Sequence, residues 1–316
     1  MRRLDPKTIA AFVALAALAL VPAVAAAADA PFYTGVFARI MVFAIAAVSL
    51  DLILGYGGLV SFGHAAYLGI GAYAVGILNF HGVSDGFIHF AAAFLAAAVA
   101  ALAIGCVSLR TSGVYFIMIT LAFSQMVYFL GVSLNRYGGD DGLNISRHSD
   151  FGGLIDLGDQ TVLYYFVFGV LLLVLFLGSR IVQSRFGVLL QGVKSNERRM
   201  IAIGFPTFRY KLAAFVISGA IGGVAGALFA NLTLFVSPSM MHWSRSGEIM
   251  MMVILGGIGT LFGPVLGAAA YLILESVLSR LTEHWQALLG PILILVVLFS
   301  KAGLLGLVSG RARRDG

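Results

Sequence analysis

The chain has 316 residues, of which 60% are hydrophobic and 11% charged, with a formal net charge of +6 and a mean hydropathy of +0.99; soluble domains carry about a quarter charged residues, so this composition excludes them and points to an integral membrane protein. The excess of base does not point to nucleic acid, because the basic residues cluster in loops beside apolar stretches, the pattern that sets membrane orientation. A single cysteine, Cys106, sits in an apolar run and excludes both an intrachain disulfide framework and a thiolate metal site.

The N-terminal stretch carries Arg2, Arg3 and Lys7, then an apolar run over residues 9–21 and an alanine-rich exit before Asp29. A first membrane span and a cleavable signal peptide share this pattern, and both leave Asp29 outside. Apolar segments follow at 36–54, 59–79, 87–109, 113–134 and 161–178, each near the roughly 20 residues that a spanning helix needs. Starting inside at Arg2, five crossings put the loop 135–160 outside, where Asp140, Asp141, Asp150, Asp156 and Asp159 face only Arg136 and Arg147. A sixth crossing brings Arg180 inside.

Residues 180–211 form the longest polar interval. Arg180, Arg185, Lys194, Arg198, Arg199, Arg209 and Lys211 stand there against one acid, Glu197, as expected of a cytoplasmic loop. Apolar runs at 186–190 and 200–203 separated by charge predict a short amphipathic helix or helix pair, a docking surface rather than a slack linker. A further span, 212–236, leads outward. The return from Glu248 to Phe299 breaks at the glycines of 256–264 into three short pieces, which brings the basic tail of Lys301, Arg311, Arg313 and Arg314 back inside. The expected fold is therefore all-α: one polytopic transmembrane domain over residues 1–316, with about ten membrane segments, several short or broken, and both termini cytoplasmic. The glycine-rich stretches 57–73 and 256–271 resemble each other and suggest an internal repeat; glycine-interrupted segments so placed are pointers to a transport pathway.

No catalytic constellation stands out: there is no HExxH, no GxSxG and no Cys-His cluster. Lys7, Lys194, Lys211 and Lys301 all lack a Walker A context, so this chain has no P-loop, and a nucleotide site would lie on another polypeptide. Gly219 with Gly223 and Gly222 with Gly226 form two overlapping GxxxG pairs, grooves for close helix packing within the chain or against a second subunit. Three acids, Asp51, Glu248 and Glu275, fall in apolar segments, where charge is costly and should face protein or water. Glu248 stands beside Arg245 and Glu275 near Arg280. Asp51 has no cation nearby in sequence, since Arg39 is about 18 Å away along a helix; it is either protonated or accepts N–H groups freed at the Gly55–Gly58 break. Asp51, Ser61, His64, Thr120, Ser124 and Gln125 are the pathway candidates, although hydroxyls on membrane helices commonly bond their own carbonyls.

Five segments in order, at 50–78, 109–125, 138–143, 185–228 and 255–268, resemble the LivM-type permeases of branched-chain amino acid ABC importers. The resemblance implies a permease subunit that moves branched-chain or other small amino acids inward, paired with a related permease, two cytoplasmic ATPase subunits that carry ATP and Mg, and an external (periplasmic) substrate-binding protein. No cofactor, enzymatic activity or nucleic-acid partner is expected on this chain; its remaining partner is membrane lipid. By position, the ATPase-coupling segment becomes 192–204, with Gly192, Glu197, Arg198, Arg199 and Gly204 as its residues. Two departures from the family pattern stand out: Glu197 and Gly204 are seven residues apart, without the EAA of the general importer motif, and Asp51 occupies a position where Asn is more usual. A stand-alone secondary transporter or channel with an inverted repeat is the alternative reading, and a structural membrane anchor a third.

Overall fold

An apolar run in lipid can satisfy its backbone N–H and C=O groups only by bonding within itself, so long apolar segments become helices. The structure, a computed structural model, describes residues 6–27, 30, 32–153, 155–299 and 303–308. Arg2, Arg3, Asp29 and the basic tail from Lys301 lie outside the described residues. The helices are α1 (Pro6–Ala27), α2 (Phe32–Asp51, prolonged by a π-helical turn Leu52–Tyr56), α3 (His64–Phe80), α4 (Gly86–Ser108), α5 (Val114–Ser133), α6 (Gln160–Gln183), α7 (Arg185–Ala202), α8 (Thr207–Thr233), α9 (Trp243–Gly256), α10 (Gly263–Leu281), α11 (Trp285–Phe299) and α12 (Gly303–Val308).

Among the described residues six helices are long and apolar enough to cross a membrane: α2 with its π turn, α4, α5, α6, α8 and α10. The all-α polytopic arrangement holds, but length alone does not give ten full spans. The break at 57–63 consumes the start of the expected 59–79 span and leaves α3 with 17 residues. Likewise α9 has 14 residues and α11 has 15. At 1.5 Å per residue such helices fall short of a hydrocarbon core about 30 Å thick.

α2 and α8 form the centre. From Ile40 to Ala47 every side chain of α2 is buried. α8 packs on α3 and α4 through its glycines: a Cβ added at Gly219 or Gly223 would run into Ala101 or Ala97 of α4, and one at Gly222 or Gly226 would meet Tyr67 or Leu68 of α3. The two overlapping GxxxG grooves thus hold two helices of the same chain, the close approach that yields packing lipid cannot match. α1 lies against α6, where the hydroxyl of Tyr164 donates to Leu18 O at 2.6 Å.

The loop 135–160 is stitched to one end of the bundle. Its strand β1 (Leu143–Asn144) pairs antiparallel with β2 (Phe235–Val236). Ser149 N donates to Asn231 Oδ1 at 2.8 Å, and the Ser149 hydroxyl meets His89 Nδ1 at 2.7 Å. Gly86 N donates to Asp150 O at 2.6 Å. With Asn79 at the end of α3 bonding Arg147 O and the Ser146 hydroxyl, these bonds bring the C-terminal ends of α3 and α8 and the N-terminal end of α4 to the loop that joins α5 to α6. The five loop aspartates are all exposed there. α7 lies at the opposite end.

Candidate functional site

α7 is amphipathic, burying Gly187, Leu190 and Val193 and exposing its cations. Ser184 caps its first turn, accepting Gly187 N. At Asn196 the backbone leaves the helix (φ −159°, ψ 96°), and the Asn196 side chain accepts Arg199 N at 2.9 Å. An Asn with extended backbone that receives the N–H three residues on is an N-cap, so the segment is two short helices hinged at Asn196. Gly192 packs against Met200 across that hinge, and Gly204, at φ +89°, turns the chain toward α8 in a left-handed conformation that favours glycine. Glu197 does not point outward. It pairs with Lys211 of α8 at 2.6 Å and accepts the Thr207 hydroxyl at 3.1 Å, fastening the second half of α7 to the base of α8. Arg198 and Arg199 are left exposed beside the apolar Ile201 and Ile203.

Above this knob the two glycine breaks meet. An added Cβ at Gly55 would lie 2.5 Å from Gly259 N, so the backbones of 55–58 and 257–260 touch. Asp51 Oδ1 accepts Gly259 N at 2.8 Å. The sequence had suggested donors from Asp51's own break; the donor comes instead from the second one. Lys194 of α7 supplies the missing cation: its Nζ donates to Gly55 O at 2.6 Å, its stem runs over Gly58 (φ +69°), and it acts electrostatically on Asp51. One lysine therefore ties the α7 knob to the junction of both breaks.

Of the remaining pathway candidates, Ser61 and Thr120 bond backbone of the first break, and Ser124 and His64 bond groups elsewhere. Thr120 accepts Phe62 N at 3.2 Å while donating to Ile117 O, and Ser61 Oγ accepts Gly63 N at 3.2 Å. Ser124 reaches across to Met241 O at 2.8 Å rather than bonding its own helix. His64 Nε2 meets Ser49 Oγ at 2.7 Å, and its ring packs edge-on to Tyr67. Asp51, Ser61, His64, Thr120 and Ser124 are buried, and Gln125 is half-buried. Ser61 and Thr120 hold the first break in place and Asp51 ties it to the second, while Gln125 Nε2 has no hydrogen-bond partner among the described residues.

Sequence reasoning missed several partners. Ser246 accepts Ala65 N at 2.9 Å, and Ser218 donates to Ser49 O. Glu275 pairs with Arg39 of α2, at 3.6 Å, and not with the nearby Arg280. Glu248 does pair with Arg245, at 2.7 Å. Ser218 in an otherwise apolar run was an available signal for its own bond, whereas Ser246 stands between Arg245 and Gly247 without one, and nothing in the sequence joins residues 39 and 275.

The family described as branched-chain amino acid transport system / permease component matches residues 32–298. The chain is 29% identical to the high-affinity branched-chain amino acid transport system permease protein LivM of Escherichia coli (strain K12), over 84% of this chain and 68% of that protein. It is 24% identical to a probable branched-chain amino acid transport permease protein LivM of Methanocaldococcus jannaschii, over 74% of this chain and 78% of that one. It is also 25% identical to the permease protein LivH of Escherichia coli (strain K12), over 84% and 91%. No solved structure matches the chain.

Proposed function

Because the chain belongs to the branched-chain amino acid transport system permease family, we propose that it is one permease subunit of an ATP-driven importer, carrying branched-chain or other small amino acids inward across the cytoplasmic membrane. Nucleotide hydrolysis then belongs to two separate cytoplasmic ATPase subunits with their ATP and Mg, a reading supported by four lysines without a P-loop context. The second permease is a related chain, and an external binding protein delivers the substrate. The acid-rich face of loop 135–160 is its docking side, and α7 is the ATPase side, with both termini cytoplasmic. Ten membrane segments, three of them short, and an internal repeat whose two copies are the helix–break–helix units α2–α3 and α9–α10 complete this picture.

The observation that carries the reading is the Lys194–Gly55 bond. A cytoplasmic knob touched by an ATPase can move a membrane gate only through a contact that reaches the gate, and Lys194 reaches the point where both breaks touch. Lys194→Met keeps the aliphatic stem over Gly58 and deletes the donor. Loss of a charge-assisted bond, worth about 1.5–3 kcal/mol, should lower uptake on the order of tenfold. The purified complex should keep its ATPase subunits and their hydrolysis rate. The measurement is uptake against hydrolysis in vesicles; unchanged uptake removes the bond from the mechanism.

A further inference from the structure

Two adjoining cavities at the loop face share one cation. The larger, about 620 Å³, lies between the first turns of α2 and α6 and the last turns of α8 and α10, and its wall carries Arg39 and Glu275. The smaller, about 230 Å³, is bordered by Arg39, Phe43, Phe229, Met240, Ile249 and Arg245. Arg39 stands between them with its guanidinium 5.7 Å from the Phe43 ring centre.

The Arg39–Glu275 separation of 3.6 Å is longer than the roughly 2.7–2.9 Å of a closed charge-assisted bond. Arg39 Nε and, on the same cavity wall, His148 Nδ1 are buried without a hydrogen-bond partner among the described residues. Ionised groups within membrane helices are costly and mark binding or transport positions by default; here the pair is loosely closed and a donor is left over. Arg245 and Glu248 act on Glu275 from one turn of α9, so the site holds two cations and two anions.

We propose that this is a docking site for a zwitterionic aliphatic α-amino acid. The carboxylate takes the Arg39 guanidinium, the ammonium takes Glu275, and the side chain enters the smaller pocket beside Phe43, Met240 and Ile249. This rests on the permease reading above and names the groups that would meet the substrate. A zwitterion can part the Arg39–Glu275 pair without leaving either ion unpaired, whereas a ligand with only one charge strands the other partner. The guanidinium fork suits a carboxylate, and an aliphatic side chain gains by leaving water.

The test is equilibrium binding of tritiated L-leucine to the purified whole complex without its binding protein. L-valine should displace the label, while leucinamide, which lacks the carboxylate, and isocaproate, which lacks the ammonium, should do so at least about tenfold less well. Glu275→Gln should abolish the discrimination against isocaproate, an effect that a purely structural role would not produce. The swap of Arg39→Glu with Glu275→Arg keeps a salt bridge and should weaken leucine binding by about tenfold or more in a complex that still assembles. Absence of saturable binding, equal displacement by all three compounds, or undiminished discrimination in Glu275→Gln overturns the site. ATP-dependent leucine uptake by the same preparation separates the two readings: uptake without binding here removes the site alone, and no uptake of any amino acid removes the importer.

Discussion

Asp51 Oδ1 and the backbone N–H of Gly259 lie 2.8 Å apart although 208 residues separate them in the chain. The bond joins the end of one broken helix to the turn of another, and it uses only an acceptor oxygen. An Asn amide offers the same acceptor, so Asp51→Asn should insert, assemble and support ATP-dependent uptake. Asp51→Leu leaves the half-buried Gly259 N–H unpaired, at a cost of about 1–3 kcal/mol, and should lose assembly or uptake. Loss of uptake in Asp51→Asn at normal membrane levels, with protonophore sensitivity in the wild type, would favour a titrating carboxylate and a proton-coupled carrier.

Gly55 is the complementary test of the same junction. An added methyl there runs into Asp51 and the Gly259 backbone, the latter 2.5 Å from N and 2.7 Å from Cα, so the two breaks must separate. Gly55→Ala should lower the melting temperature of the complex and its uptake, with a cost of about 1–3 kcal/mol for overpacking. Gly169 of α6 has nothing within 4 Å of its added Cβ, and Gly169→Ala should be neutral or slightly stabilising because Ala favours helix. A Gly55→Ala protein that melts and transports like wild type would show that the breaks part freely.

The helices and the glycine breaks were legible because periodicity, length and composition are local. Charge between two apolar runs allowed one amphipathic helix or a pair over 180–211, and the structure has the pair, divided at Asn196. Partners across the fold were not legible. Asp51 takes its donor from Gly259, and Glu275 takes Arg39 rather than the neighbouring Arg280, because sequence spacing says which residues share a helix face and not which helix stands opposite. The short helices have a similar origin. A glycine break reads as apolar in a hydropathy window, so the 59–79 segment counted as a span although its first residues lie outside any helix and are held by Ser61 and Thr120.

Orientation is tested by labelling in intact cells, and the structure chooses the positions. Ser149 is buried, held by Asn231 and His89, and a cysteine there would be hidden. Asp141 and Ser195 are exposed at opposite ends of the bundle. In a Cys106→Ala background, an impermeant thiol reagent added outside should label Asp141→Cys and spare Ser195→Cys. The reverse pattern would invert the topology.

Glu197 offers the sharpest separation between holding the knob together and touching a partner. Its bond to Lys211 spans a 2.6 Å gap, and the side chains are 37% and 8% exposed respectively. Glu197→Lys strands a nearly buried ammonium beside a second one, costing on the order of 1–3 kcal/mol, so the second half of α7 should detach from α8. Uptake should then fall while ATP hydrolysis continues. The swap Glu197→Lys with Lys211→Glu restores the pair and should recover both the melting temperature and most of the uptake. Arg199→Glu, by contrast, changes an exposed cation that closes no described salt bridge, so it should leave the melting temperature unchanged and still uncouple uptake from hydrolysis. A swap that regains the melting temperature but not uptake would place Glu197 itself against the partner subunit, and an Arg199→Glu protein that transports normally would move the contact to the apolar surface of Ile201 and Ile203.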